Sequence, residues 1–209
     1  ATGSSPAKLS ALFLTHYHSD HVVGVQDLVL SHWTMDVYDE AARLPLLAPN
    51  GSTIRFCERM LDLWDHDLEI RSLHNHRAPH PKVDIIGFDA PPEPVEIWSS
   101  GYVRVLASQV RHEPVEGAVG YRIETPDGVV AISGDTVVCD EVAALADGAD
   151  VVVYDGLSER ALWVGKTSAD VRFVFSHNDG IIHHNPECHN ESKQRNHVDA
   201  GIHGREQEQ

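Results

Sequence analysis

The chain has 209 residues and a formal net charge of −16, from 32 acidic and 16 basic side chains. This length allows one domain to bury a sizeable core without disulfide bonds. The acidic balance argues against a protein that binds nucleic acid mainly by long-range attraction to phosphate. Cys57, Cys139 and Cys188 form no C-x-x-C pair, which excludes a disulfide framework and a zinc ribbon. We therefore expect a cytoplasmic protein, without a membrane-spanning segment because no apolar run approaches ~18 residues.

The first third of the chain predicts two units in which a strand is followed by a helix. Residues 11–15 form a short apolar run that ends in a polar cluster, and apolar residues then recur at helical spacing over 22–29. Residues 44–48 predict a second strand. The turn residues 50–52 then precede a helix whose apolar side chains extend from Ile54 to Trp64.

Two segments differ in composition from these units. Residues 65–94 are rich in histidine and proline, and we expect them to form a long arm that includes one strand-like stretch at 83–88. From residue 178 onward the chain is polar and carries few aliphatic side chains. For 178–209 we expect either disorder or an appended element that packs on another subunit. We assign residues 1–177 to one domain.

The remaining segments are mostly β-like. A Pro126-Asp127-Gly128 turn joins two of them as a hairpin, and residues 140–146 predict a helix that ends at Gly148. The predicted strands are residues 95–98, 103–110, 119–124, 129–133, 149–154 and 171–175. The pattern as a whole predicts a layered α/β fold with mixed sheets.

The strongest chemical signal lies directly after the first strand. Within six residues the chain offers four metal ligands, His16, His18, Asp20 and His21. An extended loop places His16 and His18 on the same side, where both imidazoles reach one ion, and Asp20 and His21 can reach a second ion after the chain bends. A strand and a helix hold the two ends of this loop, which favours a fixed ligand geometry.

The cluster His16-Tyr17-His18-Ser19-Asp20-His21 resembles the H-x-H-x-D-H signature of the metallo-β-lactamase superfamily. Three further segments resemble later motifs of its ribonuclease Z and arylsulfatase-like branch: Val110-Arg111-His112, Gly120-Tyr121-Arg122-Ile123-Glu124 and Ile132-Ser133-Gly134-Asp135-Thr136. The resemblance covers roughly residues 11–157. It implies an αββα sandwich of two mixed β-sheets flanked by helices, with the family's N-terminal strands lying ahead of residue 1 in a longer protein.

The resemblance also implies a metal site for two divalent ions, with Zn²⁺ as the expected metal and Mn²⁺ or Fe as alternatives. His16, His18 and His112 would hold one ion, Asp20 and His21 the second, and Asp135 would bridge the two. His177, which follows the strand-like residues 171–176, matches the family's last metal ligand. Imidazoles with a bridging carboxylate suit these metals.

The chain departs from ribonuclease Z at one catalytic position. Where that branch carries a His-Glu pair, this chain has Tyr154-Asp155. The histidine is therefore replaced, while Asp155 keeps a carboxylate for proton transfer. Asp20 is a second catalytic candidate because it could orient the attacking water.

From the resemblance we expect a dinuclear-metal hydrolase, in particular a phosphodiesterase that attacks with a metal-bridging hydroxide. The substrate would be a small phosphodiester or ester, or an RNA 3′ end, and the acidic charge favours the smaller substrates. Alternatives are a hydrolase of small esters, aryl sulfates or lactones on the same site, and a non-catalytic metal-binding domain. We also expect a homodimer.

Overall fold

The computed structural model of the chain describes residues 5–36, 43–75, 80–155 and a strand at 172–176. Two β-sheets lie face to face with helices on their outer sides. The helices are α1 (Ser19–Val22), α2 (Val25–Met35), α3 (Ser52–Arg59), α4 (Asp65–Asn75) and α5 (Asp140–Ala146). The strands are β1 (Leu12–Phe13), β2 (Leu44–Pro49), β3 (Val83–Phe88), β4 (Val95–Ser100), β5 (Val103–Gln109), β6 (Val119–Thr125), β7 (Gly128–Asp135), β8 (Val151–Asp155) and β9 (Arg172–Ser176).

The first sheet has the order β1-β2-β3 and its described strands are parallel. Leu46 of β2 lies opposite Leu12 on one side and Ile85 on the other. β2 is a nearly continuous apolar run and is buried along most of its length, as expected for a parallel strand that is covered on both faces. Both this strand and β1 confirm the positions predicted from the sequence.

The second sheet is mixed and has the order β4-β5-β6-β7-β8-β9. β4 to β7 pair antiparallel, whereas β8 and β9 add in parallel. Thr125 pairs with Gly128 at the end of the β6–β7 hairpin, which confirms the predicted turn. The φ angle of Gly128 is +148°, a backbone conformation that favours glycine.

Aromatic side chains fill the space between the two sheets. The Phe13 ring contacts the rings of Trp98 and Tyr121, with centroid distances of 5.6 and 5.7 Å. On the outer face of the first sheet, α2 and α3 contribute buried residues such as Val29 and Cys57. On the outer face of the second sheet, α5 contributes Ala146 and other apolar residues. The predicted αββα sandwich is therefore confirmed.

The structure differs from the sequence prediction between residues 59 and 94. The helix predicted to reach Trp64 ends at Arg59, and the segment expected to be an arm contains helix α4. The strand-like stretch predicted at 83–88 within this segment is confirmed as β3 of the first sheet. Among the buried core residues of the described chain, only Leu68 comes from α4. The helix therefore has no apolar face that its sequence could have revealed. Its surface is stabilised instead by pairs such as Arg71 with Asp67, at 2.7 Å.

Some predictions fall on residues outside the described part of the chain. These are the metal ligand His177, the tail at 178–209 and Cys188. Cys57 and Cys139 are buried free thiols. Among the described helices, none has the length and apolar character needed to cross a membrane.

Candidate metal centre

The candidate ligands come from loops and strand ends at one edge of the two sheets. His16, His18 and His21 follow β1, and α1 begins directly after His18. His112 lies on the connection between β5 and β6, while Asp135 and Asp155 end the parallel neighbours β7 and β8. The carboxyl ends of parallel strands are a common position for ligand sites in α/β folds because their loops converge there.

A first ligand group consists of His16, His18, His112 and Asp135. One ligand atom from each residue lies within 4.8 Å of the others. His112 Nε2 is 3.2 Å from His18 Nδ1 and 3.7 Å from Asp135 Oδ2. Three imidazoles and one carboxylate at this spacing form a donor set suited to a divalent transition metal.

His16 provides the best test of whether a metal fits this group. Its side chain is only 1% exposed, and its Nδ1 lies 3.1 Å from the Thr15 hydroxyl. Its Nε2 is buried without a hydrogen-bond partner, since Asp135 Oδ2 at 3.9 Å is too far for one. Burial, with the neighbouring His21 and His112, lowers the pKa of His16 to about 4. A neutral imidazole whose Nε2 lacks a partner fits a bound metal ion.

A second ligand group shares Asp135 and adds His21 and Asp155. His21 Nε2 lies 3.3 Å from Asp135 Oδ2 and 3.5 Å from Asp20 Oδ2. Asp20 thus contacts this group without belonging to either set of closely spaced ligand atoms. Burial, with the nearby Asp135 carboxylate, raises the pKa of Asp155. Two carboxylates this close are stabilised by a cation between them.

Thr136 connects the two loops that carry His112 and Asp135. Its hydroxyl accepts a hydrogen bond from the Arg111 backbone N–H at 3.1 Å and lies 3.1 Å from the Arg111 carbonyl oxygen. The Tyr154 hydroxyl donates to the Thr136 carbonyl at 3.2 Å. The sequence places Tyr154 at the end of a predicted strand and Thr136 at the end of a motif, and predicts neither of these contacts. Neither contact has a local sequence signal, because the partners are distant in the chain.

Gly134 allows β7 to approach the loop after β1. Its φ angle is +61°, and a Cβ atom there would lie 3.0 Å from the Thr15 side chain and 3.1 Å from the Val119 carbonyl oxygen. Any other residue would separate Asp135 from His16 or strain the backbone. The glycine of the Ser133-Gly134-Asp135 motif therefore has a packing role in assembling the site.

The structure thus brings together the described residues that the sequence predicted. His16, His18, His112 and Asp135 form the first group, while His21 and Asp155 join Asp135 in the second. Asp20 lies beside His21. The role of His177 stays a prediction.

Comparison with known proteins agrees with this geometry. A family model described as the metallo-beta-lactamase superfamily matches residues 1–163. A ribonuclease Z of Mycobacterium bovis is 34% identical over 155 residues, which are 74% of this chain and 54% of that protein. A ribonuclease Z of Mycolicibacterium gilvum is 31% identical over 160 residues, 74% of this chain and 52% of the relative. The chain therefore spans about half the length of these curated relatives.

Solved structures show the same fold at lower sequence identity. The short form of human tRNase Z superposes with a TM-score of 0.56 at 18% identity, covering 76% of this chain and 62% of the human one. The metallo-beta-lactamase fold protein YhfI of Bacillus subtilis gives a TM-score of 0.51 at 17% identity, covering 73% of this chain and 52% of YhfI. These likenesses support the fold.

Proposed function

Because the chain belongs to the metallo-β-lactamase superfamily, we propose that it is a dinuclear-metal-dependent hydrolase that resembles ribonuclease Z and cleaves a phosphodiester. The observation that carries this proposal is the first ligand group, with its buried and unpartnered His16 Nε2. The 34% identity to a ribonuclease Z adds independent support for phosphodiester chemistry.

We assign the two metal sites to the two ligand groups. His16, His18, His112 and Asp135 would hold the first ion. His21 and Asp135 of the second group would hold the second ion together with Asp20 and His177, and Asp155 of that group would lie beside this ion. Zn²⁺ is the proposed metal, and Mn²⁺ or Fe are alternatives. When bound, a pair of divalent ions supplies a hydroxide nucleophile near neutral pH and stabilises negative charge on the phosphoryl oxygens.

The chain's own carboxylates then orient water and transfer protons. Asp20 is accessible and sits beside His21, so we assign it to orienting the attacking water. Asp155 is partly buried beside Asp135, and its backbone N–H donates to the Ser133 hydroxyl at 2.9 Å. Because its pKa is raised, the carboxyl group of Asp155 is suited to pass a proton to the leaving oxygen.

Elemental analysis combined with a substrate panel tests the proposal. We expect two metal ions per chain, and turnover of bis(p-nitrophenyl) phosphate with Zn²⁺ or Mn²⁺ that is abolished by chelation and restored by metal. A chain that binds no metal would be a degenerate, non-catalytic domain. Two bound metals without turnover of any phosphodiester would also contradict the proposal.

A second candidate is the hydrolysis of a small ester, aryl sulfate or lactone on the same metals. The net charge of −16 favours small substrates over a long polyanion. An aryl sulfate, a lactone and a precursor transfer RNA therefore belong in the same panel. Turnover of the lactone alone would move phosphodiester chemistry out of the leading position.

We further propose a cytoplasmic homodimer. The buried free thiols of Cys57 and Cys139 are compatible with a reducing compartment. Exposed apolar side chains such as Leu63 and Leu73 offer surface that a second subunit could cover. Light scattering over a concentration series tests the dimer, and a constant monomer mass would contradict it.

A further inference from the structure

An open pocket of about 440 Å³ lies beside the candidate metal centre. Part of its wall is Tyr17, which stands between His16 and His18 and whose ring centroid is 5.5 Å from that of His18. Another part is Pro114, which follows His112 by two residues. The pocket therefore begins next to residues that flank the first ligand group.

The remaining walls are polar and come from the start of α3 and the end of β3. Asn50 donates from Nδ2 to the Asp89 carboxylate at 2.7 Å, and Arg55 donates from Nη2 to the Ser52 hydroxyl at 2.9 Å. Glu116 adds a second carboxylate. The pocket thus offers hydrogen-bond donors and acceptors together, as the edge of a nucleobase and a ribose would require.

Arg55 is the cation of this pocket. Within the described residues it forms no ion pair, whereas Arg59 of the same helix pairs with Asp62 at 3.2 Å. A guanidinium without a carboxylate partner is suited to bind a phosphate through two parallel hydrogen bonds. The carboxylates of Asp89 and Glu116 disfavour phosphate elsewhere in the pocket, so an anion is directed to Arg55.

Tyr17 supplies an aromatic face. Its side chain is 41% exposed, although its neighbours in the chain are the buried His16 and the partly buried His18. An exposed aromatic ring can stack with any base, because every base has a π-face.

On the basis of the function proposed above, we propose that this pocket binds the nucleoside next to the scissile phosphate. The base lies against Tyr17, and Arg55 holds the neighbouring phosphate. The substrate class is then an oligonucleotide with phosphates on both sides of this nucleoside. An aryl ester or a lactone has neither a base nor a flanking phosphate to fill these positions.

Steady-state kinetics on two substrates test the role of Arg55. A fluorogenic tetranucleotide contains a base and flanking phosphates, whereas bis(p-nitrophenyl) phosphate contains neither. We expect Arg55→Ala to lower kcat/KM for the tetranucleotide about tenfold more than for the aryl diester, mainly through KM. Arg59→Ala, on the same helix but outside the pocket, should keep the wild-type ratio. Equal ratios in all three proteins would overturn the proposal.

A binding measurement tests Tyr17 without relying on turnover. The probe is a 5′-phosphorylated dinucleotide that carries 2-aminopurine and an uncleavable methylphosphonate linkage, added to the metal-loaded full chain. We expect its fluorescence to be quenched by the wild type and by Tyr17→Phe, and about tenfold weaker binding to Tyr17→Ala at unchanged metal content. Identical binding by Tyr17→Ala would contradict the base contact.

The two measurements also separate this proposal from the proposed function. Absence of turnover of both substrates would contradict the hydrolase, while the fluorescence titration would still decide whether the pocket binds a nucleotide. Turnover of the aryl diester, with neither the Arg55 effect nor the Tyr17 effect, would leave the hydrolase intact and remove the pocket as a nucleoside site.

Discussion

The two ligand groups share Asp135 but differ in chemistry. The first combines three imidazoles with one carboxylate and includes the fully buried His16. The second combines one imidazole with two carboxylates, and each of its members is partly exposed. Imidazole favours Zn²⁺, whereas carboxylate oxygens tolerate Mn²⁺ and Mg²⁺ better. If each group holds an ion, as proposed above, the two ions need not be the same metal or bind with the same affinity.

Substitution of the shared carboxylate, Asp135, should cause the largest loss of activity. Asp135→Asn keeps the shape of the side chain but removes the charge that both groups use, so we expect activity to fall on the order of a thousandfold. Metal analysis should show the loss of at least one ion per chain. Unchanged stoichiometry and rate would show that Asp135 is a turn residue, and the two groups would then have no common member.

Removal of His18 should affect the first group selectively. We expect His18→Ala to lose one metal ion and about a hundredfold in activity, because its imidazole is replaced by no other donor. The fold should remain, since His18 lies on a loop at the sheet edge. Circular dichroism checks the fold and elemental analysis the metal. Full metal content with normal turnover would remove His18 from the site.

The buried imidazole of the first group should make the metal-free protein sensitive to acid. The pKa of His16 is about 4 in the folded chain, against 6.5 for an ordinary histidine. The unfolded chain therefore takes up this proton first as pH falls, and stability is lost between about pH 6.5 and 4. We expect a loss of about 2 kcal/mol between pH 7 and 4.5.

Urea denaturation of the metal-free protein at these two pH values measures that loss. His16→Gln has no titrating imidazole at this position and should lose less stability on acidification than the wild type. An equal loss in both proteins would show that other groups, and not His16, carry the acid sensitivity.

Substitution of Asp155 should have the smallest effect on the site, and it should distinguish most clearly between the two ligand groups. We expect Asp155→Asn to weaken binding of the second metal equivalent about tenfold and to leave the first unchanged, because only the second group includes this carboxylate. Titration with Co²⁺, followed by its absorption spectrum, resolves the two equivalents. Asp127→Asn, on the exposed hairpin turn, is the matched control. Equal weakening of both equivalents would contradict the separation.

The parts of this molecule that could be predicted from the sequence are those whose signal is local. The apolar runs of β2 and β8 and the closely spaced His16, His18 and His21 are recognisable within a few residues. The fold and the grouping of His112 and Asp135 with them followed from a resemblance between ordered motifs.

The features that escaped prediction depend on contacts between distant segments. α4 buries Leu68 with little else, so its periodicity is weak. The Thr136 hydroxyl meets the Arg111 backbone across 25 residues of chain, and Tyr154 reaches the Thr136 carbonyl across 18. The pocket between Tyr17 and Arg55 likewise exists only once four separate segments of the chain have met.

The six residues of the two ligand groups are divided equally between the two sheets. His16, His18 and His21 follow a strand of the first sheet, whereas His112, Asp135 and Asp155 belong to the second. Neither half of the chain holds a complete group, so a bound ion would join the halves as a cross-link does. If the chain were divided in the 89–94 connection, the two fragments should bind metal tightly only together, and metal should strengthen their association in return.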